Sequence, residues 1–402
     1  MQLTKTQRLL LEGAEGKGKA MAMQIQKAVG DSFEAEKMVP IARAHVSLSA
    51  QAADLWFAGK LLAAGAFCSV APTVNPGYSL SYFKSRGLLE PEAVQNMEET
   101  ERIYRELGAI LTYSCTPYLF GNVPLFREIC ALSETSVTIY ANSVLGARTN
   151  RESAASALCA AVTGYVPLYG MLLDENRRGT VLVQVDASME SAFDYALLGL
   201  MGKKIGPGVP VFCGLPSRNK TEGLIALGTQ LNVSGSYDMF HIPGVTPEAP
   251  DRKAAFGGRE PERVVTITRE ELEENRKNFS FRADGPIGYA ILGCPHYSVE
   301  QLWDTARLLR SRPAAVPVYI LTSSAVLDLA DKMGIKADLE RQGAELLADT
   351  CVDEACCFRH LRGKMGVTDS PKGLYYMRSF GISMDVQDRE TCIRWAQEGR
   401  VC

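Results

Sequence analysis

An excess of positive charge is absent from this sequence. Its 43 Lys and Arg residues are balanced by 46 Asp and Glu residues, which gives a formal charge of -3. No basic tail or stripe is long enough to follow a phosphate backbone. The charge balance therefore argues against nucleic acid as a ligand.

Long apolar runs are lacking as well. The N-terminal segment MQLTKTQRLLLEGAEGKGKA carries charges throughout, so it has no uninterrupted hydrophobic region of the kind found in secretory signals. No later stretch approaches the ~18 consecutive apolar residues that a membrane helix needs. We expect a cytoplasmic protein that does not contact a membrane.

Histidine and closely spaced cysteine pairs are scarce. The chain has 4 histidines and no CxxC motif of the zinc or ferredoxin type. Its 11 cysteines are scattered from Cys68 to Cys402 without the dense, regular spacing of a secreted disulfide scaffold. In a reducing compartment they are thiols or metal ligands, and most are expected to act as small buried hydrophobes.

Core-forming residues, by contrast, are plentiful. Hydrophobic residues make up 46% of the 402 residues and charged residues 22%, so the chain should fold throughout, yet it is too long for one core. Strands such as AILTYS, SVTIYA and GTVLVQVDA alternate with helices, which predicts α/β units with mostly parallel sheets. A connection rich in proline, glycine and charge covers residues 246–263. We predict units over residues 1–178, 179–263 and 264–402.

Three cysteines occupy comparable places in this pattern. Cys115, Cys294 and Cys351 each follow an apolar strand at the point where the chain turns. Strand ends from different units can meet at one cleft, and three thiolates can hold iron or an iron–sulfur cluster with one iron position open. Spacing alone nevertheless favours buried structural thiols. Cys356 and Cys357 are interpreted as packing residues, because adjacent side chains diverge in a strand or helix.

Several isolated histidines, lysines and arginines are further candidates for catalytic or anion-binding residues. His45 and His296 end strands near the candidate ligands, although a histidine satisfied in the core is the ordinary alternative. Lys372 has mostly small and aromatic neighbours, so it can clamp a carboxylate or exchange a proton, or else lie in solvent. In ENRRG, Arg177 or Arg178 could clamp an anion or belong to a surface loop.

The densest polar segment is YANSVLGARTNRES, residues 140–153. Its side chains and backbone amides after a predicted strand could bind a carboxylate or phosphate. The residues proposed to do so are Asn142, Ser143, Arg148 and Thr149. The alternative is a capped turn, in which Thr149 or Asn150 begins the following helix and the arginines face solvent.

Several motifs together resemble a known family. SCTPYLFGNVP, SETSVTIYANSVLGARTNRES, TGYVPLYG, ENRRG, FHIPGVTPEA, GCPH and ADTC, in this order, are similar to the catalytic large subunit of aconitase X, a divergent branch of the aconitase superfamily. The resemblance covers nearly the whole chain. It implies an aconitase-like large subunit built from several packed three-layer α/β/α units with mostly parallel sheets.

The resemblance also implies a function and a set of site residues. An iron-dependent hydro-lyase would remove water from a hydroxylated carboxylic acid, with Cys115, Cys294 and Cys351 as iron or iron–sulfur ligands. A small swivelling-domain subunit, expected as a separate chain, would close over the site. Arg148, aided by Asn142, Ser143 and Thr149 and by Arg177, would hold the carboxylate. The candidate catalytic residues are Lys372, His45 and Ser143.

Members of this family differ in substrate. The expected activity is that of a cis-3-hydroxy-L-proline dehydratase large subunit, and the alternative is dehydration of mevalonate 5-phosphate. A third hypothesis is a non-catalytic iron–sulfur or redox-sensing protein. Asp369, in DSPK, stands where the family motif is expected to have Asn, and it adds a negative charge near the carboxylate site.

Overall fold

The first part of the chain folds around a small parallel sheet. The computed structural model describes residues 1–218, 220–279 and 284–402. The sheet has the order β3-β2-β4, and a separate antiparallel pair joins β1 to β5. The helices are α1 (Lys5–Leu11), α2 (Lys17–Ser32), α3 (Ala52–Ala63), α4 (Leu80–Ser85), α5 (Pro91–Glu106), α6 (Thr135–Tyr140) and α7 (Ala154–Thr163), and the strands are β1 (Met38–Pro40), β2 (Arg43–Ser47), β3 (Thr73–Asn75), β4 (Cys130–Leu132) and β5 (Tyr165–Pro167).

A second parallel sheet follows in the middle of the chain, with the order β7-β6-β8. Its strands are β6 (Val181–Asp186), β7 (Pro210–Cys213) and β8 (Arg263–Thr268), and its helices are α8 (Ala192–Gly199), α9 (Gly202–Ile205), α10 (Thr221–Gly235), α11 (Arg252–Ala255) and α12 (Arg269–Lys277). β8 pairs with β6 along its full length, from Arg263 to Thr268. The unit boundaries stay a prediction, and this pairing favours placing the second one after α12.

The third sheet is the largest, with five parallel strands in the order β11-β10-β9-β12-β13. Its strands are β9 (Tyr289–Tyr297), β10 (Val318–Thr322), β11 (Ala344–Ala348), β12 (Met365–Thr368) and β13 (Ser383–Val386), and its helices are α13 (Val299–Leu309), α14 (Ser324–Lys332), α15 (Ile335–Arg341), α16 (Pro371–Ser379) and α17 (Arg389–Glu398). The prediction of α/β units with mostly parallel sheets is confirmed.

Both faces of the third sheet are buried, which shows how the units are arranged. On β9, Ile291 lies in a core shared with the first unit, whereas Leu292 lies in a separate core under α13 and α17. Successive strand residues point to opposite faces, so this alternation is the expected result of a sheet covered on both sides. The core shared by the two units fixes the position of the third sheet against the first.

Two predicted strands are wrong. SVTIYA forms helix α6, whose Ile139 packs close to Gly228 on α10, so tertiary packing overrides the β-branched character of the segment. AILTYS contributes one bridge, between Ile110 and Thr73, and is otherwise irregular.

No helix within the described ranges has both the length and the apolar character that crossing a bilayer requires.

Gly293 is the residue of β9 whose backbone conformation most needs glycine. Its φ is 95°, and a Cβ there would collide with the backbone carbonyl of Leu321 on β10. The pairing of β9 with β10 shifts register at this level. The residue that follows is Cys294, so the irregular step sets where this thiol leaves the sheet.

We therefore expect Gly293→Ala to lower the free energy of unfolding by roughly 2–5 kcal/mol, the sum of a left-handed backbone and an overpacked contact. Gly334→Ala is the matched control: Gly334 has a φ of 74° and open space around its Cα. It should cost only roughly 1–2 kcal/mol. Urea unfolding measures both, and equal losses would contradict a steric role for Gly293.

Candidate active site

The three predicted cysteine ligands come from two units and meet in one region. Cys294 lies on β9, Cys351 follows β11, and Cys115 lies in the loop after the bridge at Ile110. All three are free thiols. The pKa of Cys351 is raised by burial first and then by the nearby Cys294 and Cys115 thiols, so the three groups interact electrostatically.

His296 connects these thiols. Its backbone N–H donates to Sγ of Cys115 at 3.3 Å, and its ring Nε2 lies 2.9 Å from the carbonyl oxygen of Thr350, next to Cys351. Because that partner is a carbonyl, Nε2 carries the hydrogen. The other ring nitrogen, Nδ1, is buried and has no hydrogen-bond partner among the described residues. His296 therefore touches all three cysteine segments and keeps one acceptor free.

Burial keeps the protons on these thiols. Burial raises the pKa of Cys115 to about 12 and that of Cys294 to about 11, with Lys372 acting in the opposite direction at both. Buried thiols with such pKa values are neutral unless a cationic group lies between them.

The donor set is of the kind that holds iron or an iron–sulfur cluster. Among the described residues, no three His, Cys, Asp or Glu side chains form a site for one metal ion. In an iron–sulfur cluster the cysteine sulfurs bind different irons, so they need not converge on one atom. Three neighbouring thiols beside the unpaired Nδ1 of His296 suit such a group.

A buried ion pair lies beside the cysteines. Nζ of Lys372, on α16, donates to Oε1 of Glu134 at 2.6 Å, and the two residues are 5% and 8% exposed. The other oxygen of Glu134 lies 3.4 Å from the Ser47 hydroxyl and 3.5 Å from Nδ2 of Asn75. The sequence reasoning missed Glu134, although its place two residues after β4 was a signal.

The charges of this pair depend on each other. Burial would raise the pKa of Glu134, but Lys372 and, more weakly, His45 hold it below its usual value. Burial would lower the pKa of Lys372, but Glu134 holds it well above its usual value. Both groups are therefore charged at neutral pH, which a buried pair tolerates only because each neutralises the other.

His45 supports this ion pair through its contact with Asn75. Its Nε2 lies 2.7 Å from Oδ1 of Asn75, and its Nδ1 lies 2.8 Å from the Thr73 hydroxyl. Nδ2 of Asn122 already donates to that hydroxyl oxygen, so the Thr73 hydroxyl donates to Nδ1. Burial lowers the pKa of His45 to about 4. The imidazole is neutral with both nitrogens engaged, so it orients Asn75 and, through it, Glu134.

A cleft of about 1080 Å³ opens onto this region between the second and third sheets. Cys294, His296 and Ser370 line it on one side, and the segment around α8 lines it on the other. Asp369 also faces it, and Tyr297 and Arg389 hold this carboxyl group: Tyr297 donates a hydrogen bond to it and Arg389 lies close by. The cleft gives a small molecule or a partner access to Cys294.

The polar segment 140–153 does not line that cleft. Its first part is a π-helical turn, Ala141–Leu145, in which Asn142 is fully buried. Oδ1 of Asn142 accepts from Thr149 and Arg177, and Nδ2 donates to Thr149 and Asp238. The Ser143 hydroxyl accepts from the backbone of Phe240. These contacts favour a structural role for Asn142, Ser143 and Thr149.

The two arginines proposed to bind the carboxylate are also engaged within the protein. Arg148 forms an ion pair with Asp174 and donates to the Leu172 carbonyl at 2.8 Å. Arg177 is 2% exposed and pairs with Glu248 at 2.7 Å. It also donates to the carbonyls of Asn142, Ala147 and Met171. Substrate binding by either arginine stays a prediction, and it would require these contacts to be exchanged.

Neither predicted capping residue begins the next helix. α7 starts after Ser153, whose hydroxyl accepts from the Ser156 amide. Thr149 and Asn150 are instead buried, and Oδ1 of Asn150 accepts from Met171. The prediction that Thr149 or Asn150 caps this helix is therefore wrong. Both side chains form hydrogen bonds with interior backbone groups, and Ser153 is the capping residue.

Comparison with known proteins agrees with this architecture. Family models of the aconitase X first, second and third domains match residues 1–175, 179–277 and 287–398. The crystal structure of Thermococcus kodakaraensis aconitase X in its holo-form is similar, with a TM-score of 0.89 and 35% sequence identity over 98% of this chain and 100% of that chain.

Curated relatives fall into two activities. The phosphomevalonate dehydratase large subunit of Thermococcus kodakarensis is 37% identical over 98% of this chain and 100% of its own length. The cis-3-hydroxy-L-proline dehydratase of Pseudomonas aeruginosa is 35% identical over 85% of this chain, which spans 60% of that protein.

The relatives and the site together define an enzyme of the carbon–oxygen lyase class, since dehydratases break a carbon–oxygen bond. Within that class, the chain belongs to the aconitase X family. The resemblance inferred from the motifs is confirmed.

We expect Arg177→Met to lower the free energy of unfolding by about 3–5 kcal/mol, because it leaves Glu248 and several carbonyls unpaired. Arg312→Met is the matched control, since Arg312 forms an exposed ion pair with Glu398. It should change stability by about 0–1 kcal/mol. Chemical denaturation measures both, and a small loss at Arg177 would point instead to a side chain kept for binding.

The Lys372–Glu134 pair can be tested by a double-mutant cycle. We expect Glu134→Gln and Lys372→Met each to destabilise the fold by about 3–5 kcal/mol, and the double variant to lose less than their sum, since it leaves no unpaired charge. The folded-state pKa of Glu134 lies below its unfolded value, so its stabilising effect is present above the unfolded pKa and fades on acidification. Strictly additive losses would contradict the coupling.

Proposed function

We propose that this chain is the large subunit of a phosphomevalonate dehydratase. The observation that carries the proposal is the match with the Thermococcus kodakarensis large subunit along its whole length at 37% identity. The meeting of Cys115, Cys294 and Cys351 beside an open cleft supports the chemistry. The substrate is then a hydroxylated carboxylic acid that also carries a phosphate.

The proposed substrate was the alternative in the sequence analysis, and the expected substrate, cis-3-hydroxy-L-proline, now takes second place. The chain spans 60% and 61% of the two cis-3-hydroxy-L-proline dehydratases that it matches. It spans 86% to 100% of the phosphomevalonate dehydratase large subunits. Coverage and identity both support the phosphorylated substrate, and cis-3-hydroxy-L-proline is the second candidate. A non-catalytic protein has no support from these relatives, which are named as enzymes.

We assign Cys115, Cys294 and Cys351 as ligands of an iron–sulfur cluster. Cys115, Cys294 and Cys351 would hold the cluster, which would supply Lewis-acid chemistry toward the leaving hydroxyl of the substrate. His296 positions the three segments, and its free Nδ1 can accept a hydrogen bond inside the site. Because burial raises the pKa values of Cys115 and Cys294, binding of a cluster by these thiols would release protons.

The chain's own proton chemistry is assigned to Glu134 rather than Lys372. Lys372 keeps its proton at neutral pH because Glu134 neutralises it, so Nζ can clamp the substrate carboxylate but has no lone pair to accept a proton. Glu134 is ionised, and its Oε2 has only long contacts, with Ser47 and Asn75. His45 holds Asn75 in place. Lys372 is therefore the proposed anion clamp and Glu134 the proposed base on this chain.

We assign the cleft above Cys294 to a separate small swivelling-domain subunit. The relatives are named large subunits, which implies a smaller partner in those proteins. The cleft lies between two units and carries charges of both signs, including Arg276, Arg394 and Glu190. A polar cleft of this kind suits a partner that opens and closes, because polar interfaces exchange more readily than apolar ones.

The proposal predicts that the chain, reconstituted anaerobically with iron, sulfide and a small subunit, removes water from mevalonate 5-phosphate faster than from cis-3-hydroxy-L-proline. Mass spectrometry of both products measures this preference. Cys294→Ser should lose iron and activity, whereas Cys213→Ser, at a half-buried thiol of the second sheet, should retain both. Turnover of hydroxyproline alone would overturn the substrate assignment, and full activity of Cys294→Ser would overturn the ligand assignment.

A further inference from the structure

A second group of thiols lies apart from the three candidate ligands. Cys356 and Cys357 are neighbours in a 3-10 helix, Ala355–Leu361, and their sulfur atoms are 3.9 Å apart. The expectation that these adjacent side chains diverge is wrong. A 3-10 helix turns once every ~3 residues, so adjacent side chains can meet only through their rotamers, as they do here. Two sulfurs at this distance can react with each other.

The pair borders a cavity of about 330 Å³. Tyr78, Glu354, Cys356 and Arg359 are among the residues that line it. Cys356 is half-buried, whereas Cys357 is completely buried and is not part of the lining. A small molecule that enters the cavity therefore reaches Cys356 first, and Cys357 stands behind it.

An unpaired polar atom at this cavity points to a small hydrogen-bonding ligand. Glu354 is 4% exposed, burial raises the pKa of its carboxyl group to about 8, and the Ala50 backbone donates a hydrogen bond to it. Its Oε1 is buried without a hydrogen-bond partner among the described residues. Leaving a buried acceptor unpaired costs about 1–3 kcal/mol, so such atoms usually have a reason. A small molecule that forms a hydrogen bond with this oxygen would supply the missing contact beside the Cys356 thiol.

The two thiols differ in the way that a reactive pair requires. A hydrogen bond from Cys357 lowers the pKa of Cys356, with further help from the Tyr78 hydroxyl and Arg359, against the opposing effect of burial. Burial raises the pKa of Cys357 well above its usual value. Since the thiolate is the nucleophile, Cys356 attacks more readily and Cys357 stays protonated as the second thiol.

We propose that Cys356 and Cys357 form a peroxide-sensitive dithiol in which Cys356 is oxidised first and Cys357 resolves it. The Cys356 thiolate attacks one oxygen of hydrogen peroxide, the O–O bond breaks, and the departing hydroxide takes a proton to become water. The Cys357 sulfur then attacks the resulting sulfenic acid. The S–O bond breaks, a disulfide forms, and the Cys357 proton leaves with the second water. Peroxide is reduced and the two thiols are oxidised.

The dithiol shares a turn with one of the proposed cluster ligands. The Glu354 amide donates to the Cys351 carbonyl, and the Cys351 amide donates to the Gly77 carbonyl, next to Tyr78. A disulfide between adjacent residues distorts their shared peptide, so oxidation would disturb this turn. The chemical proposal itself does not depend on the assigned dehydratase activity.

The test uses the full chain, reduced anaerobically and then exposed to hydrogen peroxide at near-stoichiometric concentration. After free thiols are alkylated, combined digestion with trypsin and a Glu-specific protease releases residues 355–359, in which the only cysteines are Cys356 and Cys357. We expect this peptide to escape alkylation and to weigh about 2 Da less than its reduced form, as one disulfide requires, and dithiothreitol should reverse the change.

Two variants separate the steps. Cys357→Ser should stop at a Cys356 sulfenic acid, which dimedone traps, and Cys356→Ser should give neither adduct nor disulfide. Cys213→Ser, matched for partial exposure, should leave oxidation of the pair unchanged, and circular dichroism checks that each variant folds. Residues 355–359 that stay reduced while the exposed Cys402 is oxidised would overturn the proposal. Equal dimedone labelling of Cys213 and Cys356 in the Cys357→Ser variant would also overturn it.

Discussion

The buried ion pair between Lys372 and Glu134 is the interaction on which the geometry of the cysteine site depends. Glu134 follows β4 of the first sheet, and Lys372 begins α16 beside the third sheet. The two units share one hydrophobic core. Apolar packing alone fixes the distance between the units but not how one is shifted along the other. A charged pair out of water tolerates little displacement, because each partner is costly alone. It therefore sets the register between the two units that carry the cysteines.

The parts of the site that depend on single strands could be predicted from the sequence. Cys294 lies near the carboxyl end of β9 and Cys351 follows β11, and the carboxyl ends of parallel strands are where ligands usually bind. The segment before Cys115 forms one bridge and no strand, so that part of the prediction was wrong. Which strand ends meet is decided by the packing of whole units, so spacing alone could not choose between ligands and buried thiols. Glu134 was missed for the same reason, since an acid before a helix is ordinary, and its partner lies 238 residues away.

The fold followed its pattern except where tertiary packing overrode local preference. SVTIYA has the composition of a strand, yet as α6 it packs on α10 and carries the chain into the π-helical turn that contains Asn142. Composition likewise showed that residues 140–153 were polar but not that they were buried. The sequence of a polar segment is the same whether its hydrogen-bond partners are substrate atoms or backbone carbonyls. Only the three-dimensional contacts distinguish the two cases.

Hydrogen-bond saturation gives a physical criterion for that distinction. Every N–H group of Arg177 lies near Glu248, Asn142 or a backbone carbonyl, so a ligand would have to break contacts in order to bind there. Nζ of Lys372 has Glu134 as its one hydrogen-bond partner among the described residues, which leaves two of its three donors available. Nδ1 of His296 is free in the same sense. Hydrogen-bonding capacity is therefore left at Lys372 and His296 beside the cysteines, whereas Arg177 has none left. This contrast supports the assignment of the chemistry to the first group and of structural support to the second.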